Sequence, residues 1–149
     1  MQTRANNTNL VERISSDTNY EIELAEDAKV EYFFIMDGNN KLDISIYSKQ
    51  DNSSLVLHGI IIWQADQDTI ANIKVNLESD NCKADVRIVS FLGDNCQVTV
   101  DWIINIWAQT HGCQGNLLEE NILLSDNVQI KTLPQLNVAS SDVSASHGA

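Results

Sequence analysis

The chain has 149 residues, 43% of them hydrophobic, and its 21 acidic and 9 basic side chains leave a net charge of −12. That length suits one domain with a real core, and the charge argues against phosphate backbones and anionic lipid headgroups as partners. No run approaches the roughly 18 apolar residues that cross a bilayer, and the opening MQTRANNTNLVERISSDTN is too polar for a signal-peptide core. A cytoplasmic location is the expectation. Three cysteines with no CxxC pair suit thiols in a reducing compartment better than a disulfide scaffold or a zinc site.

Residues 1–19 read as an N-terminal flank, and residues 20–149 as one domain. With one proline and six glycines, punctuation falls to Asn and Asp, whose short polar side chains tolerate turn conformations. Turn-like pairs stand at Glu26-Asp27, Asp51-Asn52, Gln67-Asp68, Asp80-Asn81, Asp94-Asn95, His111-Gly112, Asp126-Asn127 and Ser141-Asp142. Apolar residues follow at alternate positions, the signature of a strand with one buried face. The first row is Ala28, Val30, Tyr32, Phe34. After the DGNN break at 37–40 comes Leu42, Ile44, Ile46, which fits as a strand but makes the repeat imperfect there. Ser53, Leu55, Leu57 and then Thr69, Ala71, Ile73, Val75, Leu77 continue the series. Cys82, Ala84, Val86, Ile88 and Cys96, Val98, Val100, Trp102 come next, and Val128, Ile130 and Val143, Ala145, His147 close it.

From Ser53 onward the rows open at Thr69, Cys82, Cys96, Cys113, Val128 and Val143, a repeat of roughly 15 residues. Such a repeat is too short for a propeller blade and lacks the helical part of a leucine-rich repeat. The pattern predicts an all-β single domain, a right-handed β-helix of about eight short irregular turns stacked into a rod on the order of 40 Å long. A β-sandwich is the alternative.

Cys82, Cys96 and Cys113 open three successive rows. In one shared register they would stack with Cα spacings of about 5 Å, close enough for shared metal ligation or a disulfide. The plainer reading, which we favour, is that a small apolar residue is wanted there, as at Ala28 and Val128, and that buried thiols stay inert. Trp63, Trp102 and Trp107 form either a sugar-stacking platform or core and edge packing, with Trp102 in the inward parity. His58 reads as structural or exposed, and Glu21, Glu23, Glu26, Asp27 and Glu31 as a solvated face. No nucleophile elbow, P-loop, dinucleotide fingerprint or HExxH sequence occurs, so the chain is not expected to be an enzyme.

The C-terminal run ENILLSDNVQIKTLPQLNVASSDVSASHGA, from Glu120 to Ala149, resembles the signature of the SufB/SufD family of iron-sulfur cluster assembly proteins. AEDAKVEYFFIMDG and SDNCKADVRIVSFLGDNC resemble that family's core, so the likeness covers roughly residues 20 to 149. It implies a β-helix scaffold that pairs with itself or with another SufB/SufD-type protein. It also implies binding of a SufC-type ATPase and a transiently held iron-sulfur cluster. It points to His147 as a metal ligand at a dimer seam lined by Val143, Ala145 and His147; the plainer reading, which we favour, is a fold-determining histidine that hydrogen-bonds the next turn. Two positions depart from the family pattern: Ala145 stands where a cysteine is usual, and Gln135 where a glutamate is. Family members also carry helical flanks, and the C-terminal one docks the ATPase. Two readings stay open: an assembly scaffold or structural subunit, and a non-catalytic β-helix interaction module that has lost cluster chemistry.

Overall fold

The computed structural model describes residues 2–63 and 68–148, with side chains from Ala5 onward. Of the features read from sequence, Gln67 of the Gln67-Asp68 turn and the final Ala149 lie outside the described residues. The described residues form twelve strands and no helix. In chain order these are β1 (Gln2–Ala5), β2 (Thr8–Ile14), β3 (Thr18–Leu24), β4 (Lys29–Asp37), β5 (Lys41–Ser48) and β6 (Ser54–Trp63). They continue as β7 (Asp68–Leu77), β8 (Lys83–Leu92), β9 (Gln97–Ile106), β10 (Cys113–Leu123), β11 (Gln129–Val138) and β12 (Val143–Gly148). The first two strands lie within residues 1–19, so the sheets begin inside the stretch expected as a flank.

The chain alternates between two six-stranded sheets, β1-β3-β5-β7-β9-β11 and β2-β4-β6-β8-β10-β12. The neighbouring strands pair in parallel, so the molecule is a β-solenoid. The expectation of eight turns is corrected. One circuit uses two strands, one in each sheet, so each short sequence repeat is half a turn. The true period appears at equivalent corner positions: Ser53, Cys82, Cys113 and Val143 succeed one another at roughly 30 residues per circuit. Six strands stack to about 25 Å instead of about 40 Å. The row Leu42, Ile44, Ile46 that made the repeat look imperfect is also explained: it is β5, in the other sheet, with all three side chains buried.

Both sheets turn their alternate rows inward. The core holds Tyr32, Phe34, Leu57, Ile61 and Trp63 from one sheet, and Ile44, Ile46, Val75 and Trp102 from the other. Each large aliphatic or aromatic side chain withdrawn from water contributes about 1.5–3 kcal/mol. Trp63 and Trp102 are buried and Trp107 is 53% exposed, so the three do not make one stacking platform.

The corners explain why Asn and Asp punctuate the sequence. Asp27, Asn52 and Asn81 adopt positive φ of 55°, 60° and 56°, and Gly112 has 66°. These are left-handed conformations that short polar side chains and glycine enter at low cost. They form a column, because Asp27 N donates to Asp51 O, Asn52 N to Asp80 O, Asn81 N to His111 O and Gly112 N to Asp142 O, at 2.8–3.1 Å. Asp94, at φ 54°, turns a corner leading into the other sheet. A second column follows the outer side of that sheet: Asn105 Nδ2 donates to Asn76 Oδ1 and Asn137 Nδ2 to Asn105 Oδ1, each at 3.0 Å.

Candidate functional site

The residues singled out at the C-terminal end come together on the last rung. Strand β12 pairs with the first half of β10, setting Val143 beside Cys113, Ala145 beside Gly115 and His147 beside Leu117. This is the inward row: Cys113 and Leu117 are 0% and 3% exposed. One rung later the same row is open, with Val143 half-buried and Ala145 and His147 exposed. Across the interior, Ile130 and Leu136 of β11 are likewise half-buried, while Val98 and Ile104 beneath them on β9 are buried. The apolar rows thus run as far as the last described rung. The rung is pinned by Gly112 N donating to Asp142 O (2.8 Å), Ser140 Oγ to Thr110 O (2.6 Å) and Ser146 Oγ to Asn116 Oδ1 (2.8 Å).

The hydrogen bond to a neighbouring turn expected of a fold-determining His147 is not found among the described residues. Among the described residues its imidazole has no hydrogen-bond partner. Its neighbour in the same row, Ala145, offers no donor atom to a metal.

The three cysteines do not share one column, which corrects the register read from the sequence. Cys82 and Cys113 stand on adjacent rungs of one corner, joined by Gln114 N donating to Cys82 O at 2.9 Å, with Ser53 on the rung before them. Cys96 leads into β9 of the other sheet, where Gln129 N donates to its carbonyl at 3.0 Å. All three are free and buried. Cys82 Sγ lies 3.4 Å from Gln50 O and 3.4 Å from Ser53 Oγ, and Cys113 Sγ lies 3.1 Å from Ser79 O. Burial pushes the Cys82 and Cys96 thiols up from their ordinary value, away from the thiolate that would react or bind metal. Among the described residues no group of three His, Cys, Asp or Glu side chains converges on one point.

Sequence reasoning passed over Glu119. It follows Cys113, Gly115 and Leu117 in the inward row and is 0% exposed. Its Oε1 accepts from Asn121 Nδ2 at 2.8 Å, and its Oε2 has no partner. The signal was an acid at inward parity in CQGNLLEEN. His58 is exposed, as one of its two readings held.

Residues 6–149 match the family model described as SUF system FeS cluster assembly, SufBD core domain. The chain belongs to the SufBD core domain family. The match starts before residue 20, in step with the early strands, and places this SufBD core in iron-sulfur cluster assembly. No curated protein matches the chain. The β-solenoid is the fold that the C-terminal motif implied. No helix among the described residues is long and apolar enough to cross a membrane.

Proposed function

We propose that this SufBD core is a non-enzymatic scaffold or structural subunit of cytoplasmic iron-sulfur cluster assembly. It pairs through its C-terminal rung with a second copy or another SufB/SufD-type protein and works in a complex with a SufC-type ATPase. The supporting observation is the inward row of half-buried Val143 and exposed Ala145 and His147, stacked on buried Cys113 and Leu117. Among the described residues β12 is an edge strand, and such an edge with an apolar row offers both backbone hydrogen bonds and buried area to an incoming strand.

In this reading the cluster is transient cargo. His147 supplies one nitrogen ligand at the seam, and the partner supplies the remaining ligands, since Ala145 has none to give. The experiment is a pull-down of the chain against the ATPase and SufB/SufD-type proteins, with bound iron quantified. Capture with iron retained, and lost in His147→Ala, supports a scaffold with His147 as ligand. Capture without iron supports a structural subunit, and no capture overturns the proposal.

A second reading, an interaction module that has lost cluster chemistry, is favoured by Ala145 and by the burial of Cys82 and Cys113 against backbone carbonyls. Anaerobic reconstitution with iron and sulfide separates the two. Absorbance that depends on His147 or the cysteines counts against loss of chemistry.

A further inference from the structure

The outer face of the β2-β4-β6-β8-β10-β12 sheet is apolar where a solvated sheet alternates with polar residues. Strand register sets Ile35 of β4, Ile60 of β6 and Val89 of β8 in one outward row and Ile62 beside Phe91 in the next, where β4 contributes Asp37, while Phe33 stands in the row of His58 and Arg87. Ile62 is 38% exposed, and Leu118 and Ile122 extend the patch on β10 at 38% and 42%. Contiguous apolar surface of this kind on a soluble chain marks an interaction site.

The charges on this face identify the occupant. It carries Arg13, Lys29, Lys83 and Arg87 against Glu31, Asp37, Asp85 and Glu120, four of each sign. Two of the opposite pairs close on themselves, Arg13 with Asp37 and Arg87 with Glu120, both at 2.5 Å. The whole net charge of −12 therefore resides elsewhere on the molecule. This balanced face meets its own image without the net repulsion that a charge of −12 imposes on the chain as a whole. Its size is also sufficient. Ten-residue strands run about 33 Å and five strands cover about 24 Å, close to the roughly 800 Å² per partner of a standard interface.

We infer that a second copy of this chain packs face to face on this sheet, across a two-fold axis, the apolar rows of one sheet against those of the other at about 10 Å. This contact is separate from the C-terminal rung, and the test separates them. Sedimentation velocity is run on the Val143→Asp chain, in which the end contact is disrupted, and on Val143→Asp/Phe91→Glu, with circular dichroism as the fold control. A dimer in the first that becomes a 16.6 kDa monomer in the second is the expected result. A Val143→Asp chain that is already monomeric at high concentration, or a folded double variant that stays dimeric, overturns the inference.

Should the double variant fail to fold, His58→Cys replaces it. Residue 58 is exposed on this face and the native thiols are buried, so a short bis-maleimide should link two chains only in the variant. Absence of a linked dimer would overturn the inference, and so would capture of a different protein on this face by a chain that does not self-associate.

Discussion

Gly59 and Phe34 occupy one space between adjacent strands: a Cβ on Gly59 would lie 2.3 Å from Phe34 Cζ and 2.6 Å from Ile88 Cδ1. The glycine on β6 is what allows a full aromatic ring on β4 to lie flat in the core, where it is 0% exposed.

Gly59→Ala should therefore destabilise the fold by about 1–3 kcal/mol, the usual cost of overpacking a well-filled interior. Urea unfolding reads this as a lower midpoint at unchanged slope. Phe34→Leu in the same chain should recover part of the loss, and an additive double mutant would show that the two do not share the space.

The asparagine column carries a second expectation. Asn105 donates to Asn76 and accepts from Asn137, and Asn76 is only 3% exposed. Asn105→Ala leaves the buried Asn76 Oδ1 without a donor, at a cost of about 1–3 kcal/mol. Asn137→Ala, at the exposed end of the same column, should cost less than half as much. Equal losses would contradict the burial argument.

Glu119 predicts the opposite sign. Its carboxylate is fully buried with one oxygen unpartnered, so Glu119→Leu should raise stability by about 1–2 kcal/mol, seen as a higher urea midpoint. A stabilised variant that also loses partner capture or bound iron would assign the acid to function. A destabilised variant would show that the carboxylate holds the end of β10.

The thiols set the alkaline limit. Burial raises Cys82 and Cys96 above the ordinary thiol value of 9.0, so between the two values the unfolded chain has released protons that the folded chain retains. Stability then falls as pH rises through this window, because the folded state binds more protons. The contribution is absent below about pH 8, where both states are protonated. Tyr32, raised by burial and then by its hydrogen bond to Glu12, adds to the decline only above about pH 10. The urea midpoint should be level from about pH 7 to 8 and drop by about pH 10, with a shallower drop in Cys82→Ala/Cys96→Ala. A drop unchanged in the double variant would exclude the thiols as its source.

Most of the inward face was legible because alternation is a direct consequence of the pleat: Val98, Val100 and Trp102 point inward as their spacing requires. The number of turns was not. A period of two is the same in either sheet, so Cys82 and Cys96 looked like successive members of one column while lying in different sheets. The signal that separates the sheets is the longer interval of a full circuit, visible in the succession of Asn76, Asn105 and Asn137, positions that carry no hydrophobic marker. The outer apolar face was half visible in LVLHGIIIW, where both parities become apolar at once. A row-by-row reading of inward residues discards that information. At the C-terminal rung the motif located His147, while its exposure depends on how that rung stacks on β10, which spacing alone does not convey.

The corner column has a consequence for how such a chain changes over evolutionary time. Each rung meets only the rungs before and after it, through the same left-handed corner and the same inward rows, so one circuit of about 30 residues is an interchangeable module. A duplication running from Ser53 to Asn81 would lengthen the rod by one strand spacing, about 4.8 Å, and reproduce its own corner. Both extremities would keep their surfaces. Loss of a single residue within a strand, by contrast, would turn every later side chain on that strand inside out. The reach between one end of the molecule and the other can thus be tuned in whole steps, independently of what either end binds.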